Sequence, residues 1–277
     1  MIQSQTYWHT PNGYRLFGSI WKPENEVKAL VVLVHGFGEH CLRYTPYIEH
    51  FTQAGIAFVG SDLQGHGQSD GKRGKILSYD SLLDEVSLVL NEAQTLFPDL
   101  PTFIYGHSMG GNIVLNYLLK RKPVVAGSIV TSPWLVLADD PNFITKGMVS
   151  FIKRIFPHLT IDSGLEIAYI STDPEEVKKY RDDKLNHGRI SFRLFAEITR
   201  HGLWAIHHTK NLQVPVLLMH GTSDKITSYQ ASELASHGCP EFIEWAPWEG
   251  RYHELHNETN RSEVAAKAVD WILKHLG

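Results

Sequence analysis

Short apolar runs alternate with longer segments of helical spacing along most of this chain of 277 residues. The run at 30–34 is apolar at every position, which is typical of a strand that is covered on both faces. The segment at 82–97 instead repeats its leucines and valines at the spacing of one helix face. Alternation of this kind predicts an α/β fold with a mostly parallel sheet and helices on both faces.

The pattern predicts eight strands and five helices with approximate bounds. A Pro-Asn-Gly turn at 11–13 joins the first two strands as a hairpin. The predicted strands are 6–9, 15–21, 30–34, 56–59, 102–105, 125–130, 216–219 and 242–245. The predicted helices are 44–54, 82–97, 108–120, 229–236 and 261–276.

The alternation breaks between about residues 135 and 211. This region has helical patches, no convincing strand, and several turns at proline or glycine. Because it begins directly after a strand end, it should overhang the sheet edge where ligands bind. We predict an α/β core made of residues 1–134 and 211–277, with a helical cap at 135–210. The alternative is a set of connecting helices without a role in binding.

Composition excludes several classes of function. The net charge is −4 and no basic block is present, which argues against a nucleic-acid partner. No run approaches the roughly 18 apolar residues that a membrane span needs. The first residues lack the pattern of a secretory leader, and two cysteines predict no disulfide framework, so we expect a cytoplasmic protein. The sixteen histidines do not show a zinc-protease spacing, and we predict neither a metal nor a cofactor.

The residues most suggestive of chemistry are 106–110, which read GHSMG after the predicted strand 102–105. Glycine at 106 and 110 removes the two Cβ atoms that would collide in a tight strand-to-helix turn. Such a turn presents the hydroxyl of Ser108 at the sheet edge, beside the N-terminal end of a helix. We predict that Ser108 is a nucleophile, rather than an idle serine in a glycine-rich turn.

A nucleophilic serine needs a base and an acid that orients the base. In a doubly wound sheet where the nucleophilic serine comes first along the chain, the acid follows a later strand and the histidine follows the last strand. Asp224 comes after the strand 216–219, although it could instead cap the next helix, a role open to Ser228. Two histidines, His253 and His256, follow the last strand; we assign the base to His253, with His256 as a wall residue.

The tetrahedral oxyanion of ester hydrolysis also needs hydrogen-bond donors. One is expected from the backbone N–H that follows the nucleophile, here Met109. The other is expected from the loop after an earlier strand, where residues 35–40 read HGFGEH and the N–H of Phe37 is the candidate. The alternative for this loop is a simple turn.

Together these segments resemble the α/β-hydrolase superfamily, and more closely its monoacylglycerol lipase and lysophospholipase branch. The matching segments are HGFGEH at 35–40, DLQGHGQSDG at 62–71, GHSMGG at 106–111, HGTSD at 220–224 and YHELHNE at 252–258. The resemblance implies a mostly parallel eight-stranded sheet flanked by helices, with a helical cap inserted after strand 6 over an apolar channel.

The resemblance also implies roles for individual residues. It agrees with the triad and the oxyanion donors placed above, and it adds a polar end of the channel that receives glycerol. The implied triad is Ser108, Asp224 and His253, the implied donors are Phe37 and Met109, and the implied polar end is Glu39, Arg43 and His256.

We therefore predict a serine carboxylester hydrolase that releases a fatty acid and glycerol from a monoacylglycerol. The alternatives are the same chemistry on a lysophospholipid or a shorter ester, and a ligand-binding protein that has lost turnover. A peptidase on the same scaffold would need an acidic pocket for a free amino terminus. The cap segment 143–156 is apolar with interspersed Lys and Arg, so it is either an interfacial helix on lipid or part of the cap interior.

Overall fold

The computed structural model describes residues 1–139 and 154–276, so most of the predicted interfacial segment 143–156 lies outside the described residues. Ten strands are described: β1 Ile2–His9, β2 Arg15–Lys22, β3 Ala29–Val34, β4 Ile56–Ser61, β5 Thr102–His107, β6 Gly127–Thr131, β7 Thr160–Asp162, β8 Arg189–Ser191, β9 Val216–Gly221 and β10 Ile243–Trp248. Seven helices are described: α1 Thr45–Gln53, α2 Tyr79–Leu96, α3 Met109–Arg121, α4 Pro174–Asp182, α5 Phe192–His208, α6 Tyr229–His237 and α7 Arg261–Lys274.

Eight of these strands form one sheet in the order β1-β2-β4-β3-β5-β6-β9-β10. Strand β2 runs antiparallel to both of its neighbours, and the other six strands of the sheet, β4, β3, β5, β6, β9 and β10, pair in parallel. The prediction of a mostly parallel, eight-stranded sheet is confirmed. Because the carboxyl ends of parallel strands share one edge, the residues that follow β3, β5, β9 and β10 come together there.

Apolar side chains cover both faces of the sheet. Every residue of β3, β4 and β5 is buried, as the apolar run at 30–34 predicts. Helices α1 and α7 pack together on one face, and α2, α3 and α5 pack on the other. The strands that carry the site therefore lie in the middle of a covered sheet, where the backbone has little freedom to move.

The segment between β6 and β9 contains a short sheet that the sequence pattern does not reveal. Strands β7 and β8 pair in antiparallel register, with Thr160 opposite Ser191. The expectation of no strand in this region is wrong, because strands of three residues are too short to show an alternating pattern. Helix α5 is tied to α3, since Asn112 Nδ2 donates to the carbonyl of Ile198 and Asn116 Nδ2 donates to that of His201. The division into core and cap at 135 and 210 stays a prediction.

The described residues were compared with the requirements of a membrane span and of a metal site. None of the helices in residues 1–139 and 154–276 combines the length and the apolar character that crossing a membrane requires. The same residues contain no cluster of three or more His, Cys, Asp or Glu side chains arranged to hold a metal ion.

Candidate active site

Ser108 lies on a sharp turn between β5 and α3. Its φ of 53° and ψ of −117° are rare for a residue with a side chain. A Cβ atom on Gly106 would lie 2.6 Å from the carbonyl oxygen of Gly110, and one on Gly110 would lie 2.1 Å from that of Val34. Both positions therefore require glycine, and the turn holds Ser108 at the carboxyl edge of the sheet.

Asp224 follows β9 and accepts hydrogen bonds from several sides. Its Oδ2 lies 2.7 Å from His253 Nδ1 and 3.0 Å from His220 Nε2. Its Oδ1 accepts the backbone N–H groups of Ile226 at 2.7 Å and Thr227 at 3.1 Å. Because an ionised carboxylate only accepts, His253 carries its proton on Nδ1 and leaves Nε2 free to act as a base.

The helix that follows Asp224 has a different cap. The side chain of Ser228 accepts the N–H of Ala231 at the start of α6. The Asp224 carboxylate is thus not used as the cap of that helix.

The surroundings of Asp224 and His253 favour the charged form of each side chain. Burial acts to raise the pKa of Asp224, but the adjacent His253 and His220 outweigh it and hold that pKa well below its usual range. Burial acts to lower the pKa of His253, but the Asp224 carboxylate outweighs it, so the pKa of His253 lies above 6.5. The Asp224 carboxylate therefore stabilises an imidazolium at His253.

Ser108 and His253 line the same cavity, so the structure brings the three predicted triad residues to one sheet edge. Among the described residues, no hydrogen bond joins the Ser108 hydroxyl to His253. Such a bond is often long until substrate binds. The catalytic role of the three residues stays a prediction.

The loop at 35–40 runs beside Ser108. A Cβ atom on Gly36 would lie 3.2 Å from that of Ser108, so the loop backbone passes close to the hydroxyl. Within the described part of the chain, the N–H groups of Phe37 and Met109 donate to no other residue. Two free donors near a serine hydroxyl have the chemistry of an oxyanion hole, although that role is likewise a prediction.

A buried ion cluster lies next to this loop. Arg43 Nη1 donates to Glu39 at 2.6 Å and to Glu254 at 2.7 Å, and Arg43 Nη2 donates to Glu254 at 2.7 Å. Glu39 also accepts the N–H of Gly36 at 2.6 Å and the hydroxyl of Tyr44 at 2.7 Å. Burial acts to raise the pKa of Glu254, but Arg43 outweighs it and lowers that pKa, so this carboxylate is charged at neutral pH.

The predicted polar-end residues occupy different positions relative to the cavity. Glu39 lines it, whereas Arg43 and His256 do not. His256 is fully buried and stacks on Tyr44, with ring centroids 4.1 Å apart. Arg43 therefore lies behind the carboxylates that it binds. His256 packs between Tyr44 and the cavity-lining ring of His107, whose centroid is 4.8 Å away. Glu254 lines the cavity too, and sequence reasoning missed it although it directly follows His253.

The cavity has a volume of about 530 Å³. Its polar side contains the sheet-edge residues described above, and its other walls come largely from the segment between β6 and β9. These walls are mainly apolar and include Trp134, Leu137, Leu165, Tyr169, Ile170, Ile190 and Phe195. A cavity with mainly apolar walls and a few polar groups suits a small molecule with an acyl chain.

The fold, the strained serine and the acid–histidine pair define a serine hydrolase with the α/β-hydrolase fold. Residues 25–260 match the family described as "Serine aminopeptidase, S33". The chain therefore belongs to this family of hydrolases.

Several proteins of known type are similar over almost the whole chain. The phospholipase YtpA of Bacillus subtilis is 33% identical, over 90% of this chain and 96% of its own length. The monoacylglycerol lipase of Mycolicibacterium smegmatis is 27% identical, over 95% of each chain. The crystal structure of Paleococcus ferrophilus monoacylglycerol lipase superposes with a TM-score of 0.83 at 29% identity, covering 99% of this chain and 100% of the other. These similarities confirm a serine ester hydrolase of the monoacylglycerol lipase-like branch.

Proposed function

We propose that this protein hydrolyses monoacylglycerols, releasing a fatty acid and glycerol through an acyl-enzyme on Ser108. The observation that supports this most strongly is the hydrogen bond of 2.7 Å between Asp224 and His253, in a cavity that Ser108 also lines. A charged acid that fixes the histidine tautomer beside a strained serine is the arrangement that activates a hydroxyl nucleophile.

The proposed reaction has two stages. His253 Nε2 takes the proton of Ser108 as its oxygen attacks the ester carbon, and the N–H groups of Phe37 and Met109 bind the oxyanion. His253 then gives the proton to the leaving glycerol oxygen as the ester bond breaks. Water, activated by the same histidine, attacks the acyl-enzyme and releases the fatty acid, and Ser108 recovers its proton.

The charges of the cavity support a neutral headgroup. Four carboxylate residues line the described part of its wall, against a single lysine, Lys225. A further cation, Arg43, already donates to two of these carboxylates, Glu39 and Glu254, which leaves it poorly suited to bind phosphate. Glycerol hydroxyls are suited to carboxylate acceptors, whereas a phosphate would be repelled. The four carboxylates are Glu39, Asp139, Glu166 and Glu254.

A lysophospholipid is the second candidate substrate. The identity of 33% to a bacterial phospholipase favours it, and Lys225 supplies one cation at the cavity. The chemistry at Ser108 would be the same, so the two proposals differ only in the headgroup. The acidic wall makes the monoacylglycerol the better candidate.

Turnover of three matched substrates tests the proposal. We expect hydrolysis of a monoacylglycerol to exceed that of a lysophosphatidylglycerol with the same acyl chain, and an aminoacyl arylamide to be a poor substrate. Ser108→Ala should abolish hydrolysis of a chromogenic butyrate ester without changing thermal unfolding. Wild-type turnover by that variant would refute the nucleophile, and faster arylamide hydrolysis would favour a peptidase.

We also propose that the cap contacts a lipid surface. At the described end of the predicted interfacial segment and just after it, Ile155, Phe156 and Leu159 are 52%, 58% and 53% exposed. Arg154 is exposed beside them. Adjacent exposed apolar side chains with a basic neighbour suit the boundary between lipid headgroups and acyl chains.

A further inference from the structure

We propose that residues 183–187, which follow helix α4, position the oxyanion loop at 35–40 for catalysis. In this account Asp183 and the main chain of His187 are positioning residues, which keep the N–H of Phe37 aimed at the reacting oxygen. The inference rests on the proposed function, and it gives the segment between β6 and β9 a role in the chemical step besides covering the substrate.

The first contact fixes the far end of the loop. His40 Nε2 lies 2.7 Å from Asp183 Oδ2, and the side chain of His40 is almost fully buried. Asp183 is itself held by its own turn, where its Oδ1 accepts the N–H of Leu185 at 2.9 Å and its carbonyl accepts that of Asn186 at 3.2 Å. A carboxylate anchored in this way can hold His40 in one place.

The second contact fixes the middle of the loop. The backbone N–H of His187 donates to the carbonyl of Gly38 at 2.8 Å. Gly38 has a φ of +75°, and a Cβ atom there would lie 2.3 Å from the carbonyl oxygen of His187. The two backbones approach so closely that glycine is required, and the carbonyl of Gly38 cannot turn without breaking the contact.

The Phe37 ring packs against three other rings, one of which belongs to the segment 183–187. Its centroid lies 5.7 Å from that of His187, 6.0 Å from that of His66 and 6.2 Å from the Trp134 ring, all in edge-on geometry. Within the loop, Glu39 accepts the N–H of Gly36 at 2.6 Å, and Tyr44 and Arg43 hold Glu39 in turn. The carbonyl of Gly36, which belongs to the peptide that carries the Phe37 N–H, lies 2.7 Å from His35 Nδ1. That peptide therefore lies between contacts inside the loop and the contact with the segment 183–187.

The reaction rate depends closely on the exact position of an oxyanion donor. A donor acts only if it lies within hydrogen-bond distance of the charge that develops in the transition state. Neither Asp183 nor His40 lines the described part of the cavity. Releasing the loop should therefore lower kcat while leaving substrate binding nearly unchanged.

The test compares Asp183→Ala with Asp182→Ala, its exposed neighbour in sequence. We expect Asp183→Ala to lower kcat on a butyrate ester at least fivefold, but by less than the roughly 100- to 1,000-fold loss typical when a donor is removed outright. KM and the unfolding temperature should change little. Asp183→Asn, which keeps an acceptor oxygen and the shape of the side chain, should recover part of the rate. Asp182→Ala should behave as wild type.

A transition-state mimic separates positioning from a merely structural role. An alkylboronic acid forms a tetrahedral adduct on a serine, so its inhibition constant for Asp183→Ala should rise by the factor by which kcat/KM falls. The inference is overturned if Asp183→Ala keeps the wild-type kcat, or if the loss appears only in KM or in the unfolding temperature. If Ser108→Ala retains hydrolysis in the same assay, the proposed function itself fails.

Discussion

At the scale of single residues, the turn at Ser108 shows how local constraints are written into a sequence. A Cβ on Gly106 would collide with the carbonyl of Gly110, four positions away, so this glycine could be interpreted without knowing the rest of the fold. A Cβ on Gly110 would collide with the carbonyl of Val34, a requirement that arises only when β3 and β5 pair. The positive φ of Ser108 is held by those neighbours and by the hydrogen bond of 3.0 Å from its N–H to the carbonyl of Thr131.

Most side-chain contacts of the site could not be predicted in the same way. The sequence order suggested Asp224 and His253, but nothing in it indicated that His220 also binds Asp224 or that Thr227 lies 3.0 Å from the same oxygen. The bidentate pair of Arg43 and Glu254 joins residues 211 positions apart. No periodicity records such pairs, because they depend on how strand ends meet.

The pH dependence of hydrolysis is predicted at this scale. His253 acts as a base only when neutral, and its pKa lies above 6.5 because Asp224 stabilises the charged form. As pH falls through that raised pKa, kcat/KM on a soluble butyrate ester should drop about tenfold per pH unit. The measurement is a pH profile of kcat/KM for the wild-type enzyme.

The variant Asp224→Asn reveals the cause of that profile. Without the carboxylate, the pKa of His253 should fall, which titration of its imidazole resonance by NMR would show. Activity should fall by up to about 10⁴-fold. An imidazole that titrates at the same or a higher pH in the variant would rule out Asp224 as the source of the shift.

At the scale of elements, long and periodic segments were predicted well. The helix expected at 82–97 is α2, Tyr79–Leu96, and the run at 30–34 is β3, Ala29–Val34. Both signals are strong because one face of the helix and both faces of the strand are buried. Strands β7 and β8 escaped prediction because each is three residues long, and tertiary contacts rather than sequence pattern decide their conformation.

Helix α2 carries a buried carboxyl that makes stability depend on pH. Glu85 is 3% exposed, and its Oε2 accepts the N–H of Gln64 at 2.9 Å. Burial raises its pKa from 4.5 to about 8. The folded protein therefore binds an additional proton between these values, so the stability that this group contributes below pH 4.5 is lost as pH rises toward 8.

Glu85→Gln should remove that pH dependence. Between pH 5 and pH 8 the wild type should lose about 2–4 kcal/mol of free energy of unfolding that the variant keeps, since one pKa unit corresponds to about 1.4 kcal/mol. Urea denaturation at both pH values measures the difference. Glu92→Gln, a substitution of a partly exposed residue on the same helix, is the control and should follow the wild-type curve. If the free energy of unfolding of Glu85→Gln changes with pH as that of wild type does, Glu85 is charged in the folded protein.

At the scale of the whole molecule, the sheet and the segment between β6 and β9 make the site together. The sheet edge supplies Ser108, Asp224 and His253, whereas the inserted segment supplies most of the apolar wall. The break in alternation led to the prediction that this segment is a cap inserted between two core strands, and that division stays a prediction. Which of its residues face the cavity depends on packing that no local pattern specifies.

Membrane contact is predicted at this scale as well. Phe156→Asp should weaken binding to vesicles of phosphatidylcholine and phosphatidylglycerol about tenfold or more, because burying an aromatic side chain contributes about 1.5–3 kcal/mol. Hydrolysis of a soluble butyrate ester should stay within about twofold of wild type, because Phe156 does not line the cavity. Vesicle co-sedimentation measures the binding.

The matched control is Leu234→Asp. Leu234 is 59% exposed on α6, about as much as Phe156, but it lies outside the segment between β6 and β9. Its substitution should leave vesicle binding unchanged. Equal effects of the two substitutions would show that the contact is not made through the cap.

Activation of Ser108 by Asp224 and His253 can be tested by mass spectrometry after treatment with an alkyl fluorophosphonate, because this reagent reacts with an activated serine far faster than with an ordinary hydroxyl. We expect one adduct per chain, mapped to Ser108, whose rate of formation falls at least about 1,000-fold in His253→Gln. An adduct on another residue instead, or labelling of Ser108 at the same rate in His253→Gln, would show that this pair does not activate Ser108.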